Sequence, residues 1–293
     1  MVVVVLKSQI VRLMALVIAA MALSSCLYLP GQYESLLRIS RNGQFEFQYS
    51  GQIRFAPAGV GKRNAADNAT WSDMMAYCYD EKGNLQTVRD KAGQIDPSCT
   101  PEKVAERKLE WERKHQEQRE EEAMVVNLLG FNPFNDADNH AIAEKLMRYD
   151  GWKQVRYRGR GIFDVEYAIT GKTDRDFIFP TIPGVQINYP FVSLRRRTDN
   201  EVEIKATGLA GSGLPIFVRN SDIIAQSDDP ESKASDPRYW IAGTFVIEGD
   251  KQFESENGEA AGLNRIQWQI DGTTALVPEA EFLLDDILPT TAR

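Results

Sequence analysis

The segment Trp152-Lys-Gln-Val155-Arg156-Tyr157-Arg158-Gly159-Arg160-Gly161-Ile162-Phe163-Asp164-Val165-Glu166-Tyr167-Ala-Ile169 reads as two strands and a turn. Val155 and Tyr157 alternate with Arg156 and Arg158 before the glycines, and Phe163, Val165, Tyr167 and Ile169 alternate with Asp164 and Glu166 after them. Such a period of two puts successive side chains on opposite faces of a strand. Folding the segment about Arg160 sets Tyr157 opposite Phe163, Val155 opposite Val165 and Arg156 opposite Asp164. One face is then apolar, and opposite charges meet on the other.

Upstream, residues 33–55 carry the same signature. Leu37 and Ile39 alternate before the turn, and Phe45, Phe47 and Tyr49 after it. A two-residue turn at Asn42-Gly43 would place Ile39 against Glu46. A three-residue loop, Arg41-Asn42-Gly43, instead pairs Ile39 with Phe45 and Leu37 with Phe47, and gives Gly43 the positive φ of a bulged turn. The second register keeps one face apolar and is preferred. Downstream, strands are expected at 176–180, 190–196, 201–207, 240–248, 264–271 and 280–284.

Between these blocks the period is helical. A short helical stretch is expected around 71–79. Thr100-Pro101-Glu102 is a helix start, with threonine as cap and proline in the first turn. Residues 101–122 are rich in Glu, Lys, Arg and Gln, a solvated helix held by i,i+4 pairs rather than a coiled coil. The run becomes apolar at 123–129 and breaks at Gly130 and Pro133. A second helix is expected at about 137–149, ending at Gly151 and capped by Asp136 or Asp138. Residues 225–238 are almost free of apolar side chains and read as a surface loop or disorder. The fold class is therefore α+β: mainly antiparallel β hairpins or a meander, with a helical insertion of one long charged helix and one shorter helix. The expected organisation is a leader at 1–25 and a single α+β domain at 26–293, with the insertion at about 60–150.

The leader stands apart from this pattern. Residues 1–25 contain Lys7 and Arg12 but no acid, and an unbroken apolar run extends from Leu13 to Leu23. That run is shorter than the roughly 20 residues needed to span a bilayer. Basic, apolar and small-residue regions in that order make an export signal. Leu23-Ser24-Ser25-Cys26 resembles the bacterial lipobox. The resemblance implies cleavage between Ser25 and Cys26, with diacylglycerol on the Cys26 thiol and a further acyl chain (palmitate labelling) on its amine. The alternative is an ordinary signal peptide with a chance cysteine. Leu27 replaces the aspartate that would favour inner-membrane retention in enterobacterial lipoproteins, so the periplasmic side of the outer membrane is favoured over the inner.

Once Cys26 is assigned to lipid, Cys78 and Cys99 remain of the three cysteines. In an oxidising compartment they read as a structural disulfide, with two buried free thiols as the alternative. Removing the leader takes away two bases and no acid, so a formal charge of −8 becomes −10. An acidic chain lacks the basic footprint of a nucleic-acid binder. Its two histidines, His115 and His140, both expected at the surface, leave little for a multi-histidine metal site.

The motifs that would signal chemistry fail on spacing. Ala58-Gly-Val-Gly61-Lys62-Arg63 lacks the first glycine and the hydroxyl of a phosphate loop. Ser212, in Gly208-Leu-Ala-Gly-Ser212-Gly, does not stand in a nucleophile elbow. Asn135-Asp136-Ala-Asp138-Asn139-His140 lacks the glycine and glutamate of a calcium loop. Arg156, Arg158 and Arg160, together with Arg195, Arg196 and Arg197, are candidates for an anion patch facing lipid headgroups or an acidic glycan. Neutralisation by Asp164 and Glu166 is the alternative reading.

Cys26-Leu27 through Pro30-Gly31-Gln32-Tyr33-Glu34-Ser35, the Asn-Gly hairpin, and Gly151-Trp152 through Phe163-Asp164-Val165 resemble a set of alphaproteobacterial lipoproteins that have no assigned activity. The layout is more remotely similar to LppM-type lipoprotein domains. This resemblance implies no catalytic residue and no cofactor; only the lipidated Cys26 carries over. The expected function is a membrane-anchored lipoprotein of the cell envelope acting as a non-enzymatic binding or interaction module. The alternative is an envelope hydrolase or transferase with dispersed acidic catalytic residues. Expected partners are the bilayer, through Cys26, and an envelope protein or glycan, without nucleic acid or metal.

Overall fold

In a computed structural model, the described residues are 28–55, 70–72, 76–79, 82, 85–87, 99–185, 189–198, 200–211 and 240–285. Ser25, Cys26, residues 58–63, Ser212 and the 225–238 segment lie outside them. The chain divides into two compact units, Lys62–Asn127 and a larger one formed by what precedes and follows it.

The larger unit is built on β1 (Tyr28–Ile39) and β2 (Gln44–Phe55), which form the first hairpin. Ile39 pairs with Phe45 and Leu37 with Phe47. Ser40 N–H donates to Gln44 O at 2.9 Å, and Gly43 takes φ 81° in the bulged turn. The second hairpin, β5 (Trp152–Gly159) and β6 (Ile162–Lys172), pairs Tyr157 with Phe163, Val155 with Val165 and Arg156 with Asp164. β6 then lies antiparallel beside β2, with Phe47 opposite Ile169 and Ile53 opposite Phe163.

The remaining strands are β7 (Phe177–Phe179), β8 (Val192–Arg196), β9 (Glu201–Lys205), β10 (Ala242–Gly249), β11 (Ser255–Glu256), β12 (Glu259–Gly262), β13 (Arg265–Asp271) and β14 (Glu279–Leu283). They do not make the expected meander. β10 lies parallel to β1, with Leu37 opposite Ile247 and Ser35 opposite Phe245. The larger sheet is thus mixed, in the order β12-β13-β10-β1-β2-β6-β5, while β11-β14-β9-β8-β7 form an antiparallel second sheet. A parallel pair needs a long crossover rather than a tight turn. Here the crossover runs through β7, β8 and β9 before the chain returns to the first sheet.

The core lies where aromatic side chains of the two sheets meet. Phe179 of β7 stands 5.1 Å from Phe47, 4.9 Å from Tyr49 and 4.7 Å from Tyr167, ring centre to ring centre. Phe47, Tyr49, Phe179 and Phe191 are buried. Each fully buried aromatic of this kind stabilises the fold by about 1.5–3 kcal/mol through burial alone. Helix α2 (Asp136–Leu146) packs on β5 through Ile142, Ala143 and Leu146. Its cap differs from the expectation. Asn135 takes the extended N-cap conformation, and its side chain accepts from the Ala137 and Asp138 N–H groups. Asp136 and Asp138 fall inside the first turn, where their charge suits the helix dipole.

The smaller unit contains β3 (Tyr77–Tyr79), β4 (Leu85–Thr87) and most of α1 (Pro101–Leu129). The helical stretch expected near 71–79 is instead a strand in its second half. Tyr77 and Tyr79 point outward while Cys78 is buried, a period of two that hairpin pairing with 85–87 satisfies. Cys78 and Cys99 stand at disulfide-bonding distance, with Cα atoms 5.3 Å apart. They are buried with Ala76, beside Trp71 and Val104. Along α1, the half-buried Arg107–Glu110 and the exposed Arg113–Glu117 pair at 2.6 and 2.7 Å, each contact worth a few tenths of a kcal/mol.

Candidate functional site

Of the arginines singled out from the sequence, Arg156, Arg158 and Arg160 cluster at one end of the larger sheet. Gly159, Arg160 and Gly161 all have positive φ (95°, 53° and 71°), and these make the tight β5–β6 turn with Arg160 exposed at its apex. Arg158, rather than Arg156, takes the carboxylate, with Nε 2.6 Å from Asp164 Oδ2. Ladder register puts Arg156 opposite Asp164, but an irregularity between Tyr157 and Gly159 brings Arg158 within reach. Arg156 and Arg160 have no ion pair among the described residues. Arg54, at the end of β2, was not picked out by charge pattern. Its guanidinium donates to Gln52 Oε1 at 2.8 Å and lies 5.3 Å from the centre of the Trp240 ring. Burial lowers its pKa below the usual arginine value.

Tyr157 ties this hairpin to α2. Its hydroxyl donates to Asp136 Oδ1 at 2.5 Å and accepts from Asn139 Nδ2 at 3.3 Å. Burial, followed by the bond to Asp136, raises the phenol pKa. Asp138 Oδ2 accepts from Asn132 N–H at 3.1 Å, so both acids of the calcium-like segment serve the local fold. Among the described residues no group of three or more His, Cys, Asp or Glu side chains could hold a metal ion.

Arg195, Arg196 and Arg197 do not join the first cluster, because β8 belongs to the other sheet. Arg195 pairs with Asp176 at 3.6 Å, and Arg197 with Glu201 and Glu281 at 3.3 and 3.4 Å. Arg196 donates to Asn200. His140 is exposed and edge-on to Tyr157. His115 is half-buried rather than at the surface as expected, stacked on Trp111 at 3.7 Å with Nδ1 2.9 Å from Trp111 O.

A second feature could not be seen in the sequence, because distant segments build it. An open cleft of about 360 Å³ has Phe45, Ile169, Gly171 and Phe177 among its lining, together with Lys172, Asp174, Arg175 and Asp176. Apolar surface beside charges of both signs suits a ligand with an apolar body and an ionic group.

No family model matches the chain, and no curated protein matches it either. One similar solved structure is the NMR structure of the folded domain of Mycobacterium tuberculosis LppM. It is 13% identical over 90% of this chain and 96% of that one, with a TM-score of 0.25. A likeness that small carries no argument about fold or function. Among the described residues no helix is long and apolar enough to cross a membrane.

Proposed function

We propose that this protein is a lipid-anchored lipoprotein of the bacterial envelope whose larger unit is a non-catalytic binding module. One observation carries the reading: Leu23-Ser24-Ser25-Cys26 closes a basic and apolar leader, two residues before Tyr28, which is buried in the fold. Several acyl chains, each CH₂ contributing about 0.8 kcal/mol when buried, hold such an anchor firmly. Substituting Cys26→Ala removes incorporation of labelled palmitate and leaves the precursor unprocessed; continued labelling overturns the reading. Leu27 in place of aspartate favours the outer membrane, which density-gradient separation of the two membranes tests.

The binding surface in this reading is the cleft beside Phe45 and Phe177. Its lining favours an amphipathic small molecule. Phe177→Arg should abolish uptake of an environment-sensitive apolar dye by the full chain. Unchanged uptake removes the cleft from the proposal.

A further inference from the structure

A lipid on Cys26 sets how close the folded chain lies to the bilayer. Only Leu27 separates Cys26 from Tyr28, and Tyr28 is fully buried within the fold. Two residue steps span at most about 7 Å, comparable with the depth of a headgroup layer. The anchor leaves no spacer, so whatever surrounds the start of β1 meets lipid headgroups.

The register identifies those surroundings. Tyr28 pairs with Phe55 at the end of β2, and Phe55 N–H donates to Gly161 O at 2.8 Å, next to Arg160. Strands lie about 4.8 Å apart, so the β5–β6 turn is roughly 10–15 Å from the anchored strand. On the outer face of β2, β6 and β5 near this end stand Arg54, Arg156, Arg158 and Asp164, with Arg160 at the turn. Four positive charges face two negatives: Asp164, which Arg158 already engages, and Glu166, exposed two residues further along the same face of β6. Trp240 lies under Arg54 and adds an amphipathic ring of the kind that sits well at headgroup level. The other acids around this end, Asp136, Asp138 and Asp271, keep their charge and accept hydrogen bonds from Tyr157, Asn132 N–H, and Thr273 and Thr274.

The opposite end of the same strands is arranged differently. There Glu46, Arg38, Glu248 and Arg265 alternate across the sheet and pair at 2.8–3.2 Å. Among the described residues, Arg156 and Arg160 at the anchored end are thus left without the ion pairs that hold the arginines of the opposite end.

We propose that the end of the larger sheet formed by the start of β1, the end of β2 and the β5–β6 turn is a membrane-contact face. On it Arg156, Arg160 and Arg54 bind the phosphates of anionic phospholipids around the anchor. The face holds the module against the leaflet and turns the cleft lined by Lys172 and Arg175, near the other end of β6, away from it. This inference rests on the lipoprotein reading and is tested so that the two fail separately.

The full chain is produced in a lipoprotein-processing bacterium and reconstituted into bilayer discs of phosphatidylcholine alone, or with roughly one third phosphatidylglycerol. Each arginine's reaction with phenylglyoxal is read from peptide masses, and the N-terminal peptide of the same sample reports lipid on Cys26. Arg156 and Arg160 should react about fivefold more slowly in the anionic discs, from the affinity expected of one basic side chain at such a surface. Arg175, exposed near the other end, should react equally in both discs. High salt should remove the protection. Lipid on Cys26 with equal reactivity of Arg156 and Arg160 in the two discs overturns the contact face alone. Protection with unmodified Cys26 retains the face and overturns the anchor. Neither lipid nor protection overturns both.

Discussion

Replacing both Cys78 and Cys99 by alanine should destabilise the smaller unit selectively. The residues are 21 apart in sequence. A cross-link closing a loop of that size lowers the entropy of the unfolded chain enough to stabilise the fold by about 3 kcal/mol. Little else in this unit replaces it. Its described buried cluster is Ala76, Cys78 and Cys99, with Trp71 and Val104 only partly covered. Small units that bury so little depend on such staples. About 3 kcal/mol is a change of roughly two orders of magnitude in the population of the open state. Tryptic cleavage within α1, at sites such as Lys108, Arg113 and Lys114, should accelerate by that factor when cleavage follows opening. Cleavage at Arg156 and Arg158, in the larger unit, should not change. Equal α1 cleavage in both forms, or a free thiol at Cys78 in the unreduced exported protein, would refute the reasoning.

Gly51→Val should cost about 3 kcal/mol, because the added Cβ would lie 2.4 Å from Gln32 O and 2.5 Å from Tyr33 Cα. Both are backbone atoms at the β1 irregularity and cannot swing aside; an unchanged denaturation midpoint would contradict this. Alkaline pH should unfold the larger unit. Burial pushes the Tyr33 and Tyr49 phenols well above their ordinary value, and pushes Tyr167 up to about 12, with the Asp150 charge a smaller cause. A folded pKa above the unfolded one gives stability that is complete below pH about 10 and is lost as pH rises towards 12. Tyrosinate absorbance of the buried rings should therefore appear together with loss of near-ultraviolet circular dichroism. Full ionisation with the fold intact would show that these rings are accessible.

What the sequence made legible was local. Both hairpin registers follow from the demand that one face be apolar, since a slip of one residue would expose Leu37, Phe47, Val155 and Phe163 together. The partner of β10 was not legible. Alternation of Phe245 and Ile247 says which side faces the core but not which strand lies alongside, and the crossover through the second sheet leaves no mark in the pattern. The cap of α2 was missed by one residue because Asn135 and Asp136 are both good caps, and only backbone geometry separates them. The arginine cluster was half legible. Arg156, Arg158 and Arg160 could be named, but the pairing of Arg158 with Asp164 depends on a local irregularity in the ladder. The cleft was invisible, since Phe45 and Phe177 lie in different sheets and meet only through packing.

The position of β1 adds a mechanical reason to connect anchor and fold. A tether attached to the outermost strand of a sheet loads a single ladder of hydrogen bonds, which can open from one end. β1 is instead the middle strand of the larger sheet, antiparallel to β2 on one side and parallel to β10 on the other. Its first residues are also held outside the ladder. The Tyr28 hydroxyl accepts from Tyr189 N–H at 2.9 Å, and the Tyr28 ring packs against Phe55 and Phe191. Tension applied at Cys26 would have to break contacts to both neighbouring strands and to the second sheet before β1 could leave. A chain that exposed its tether on a flexible spacer would need none of this. In the proposed lipoprotein a single residue would separate lipid from fold, and burial of Tyr28 and Leu29 would let the anchored end bear load without unravelling.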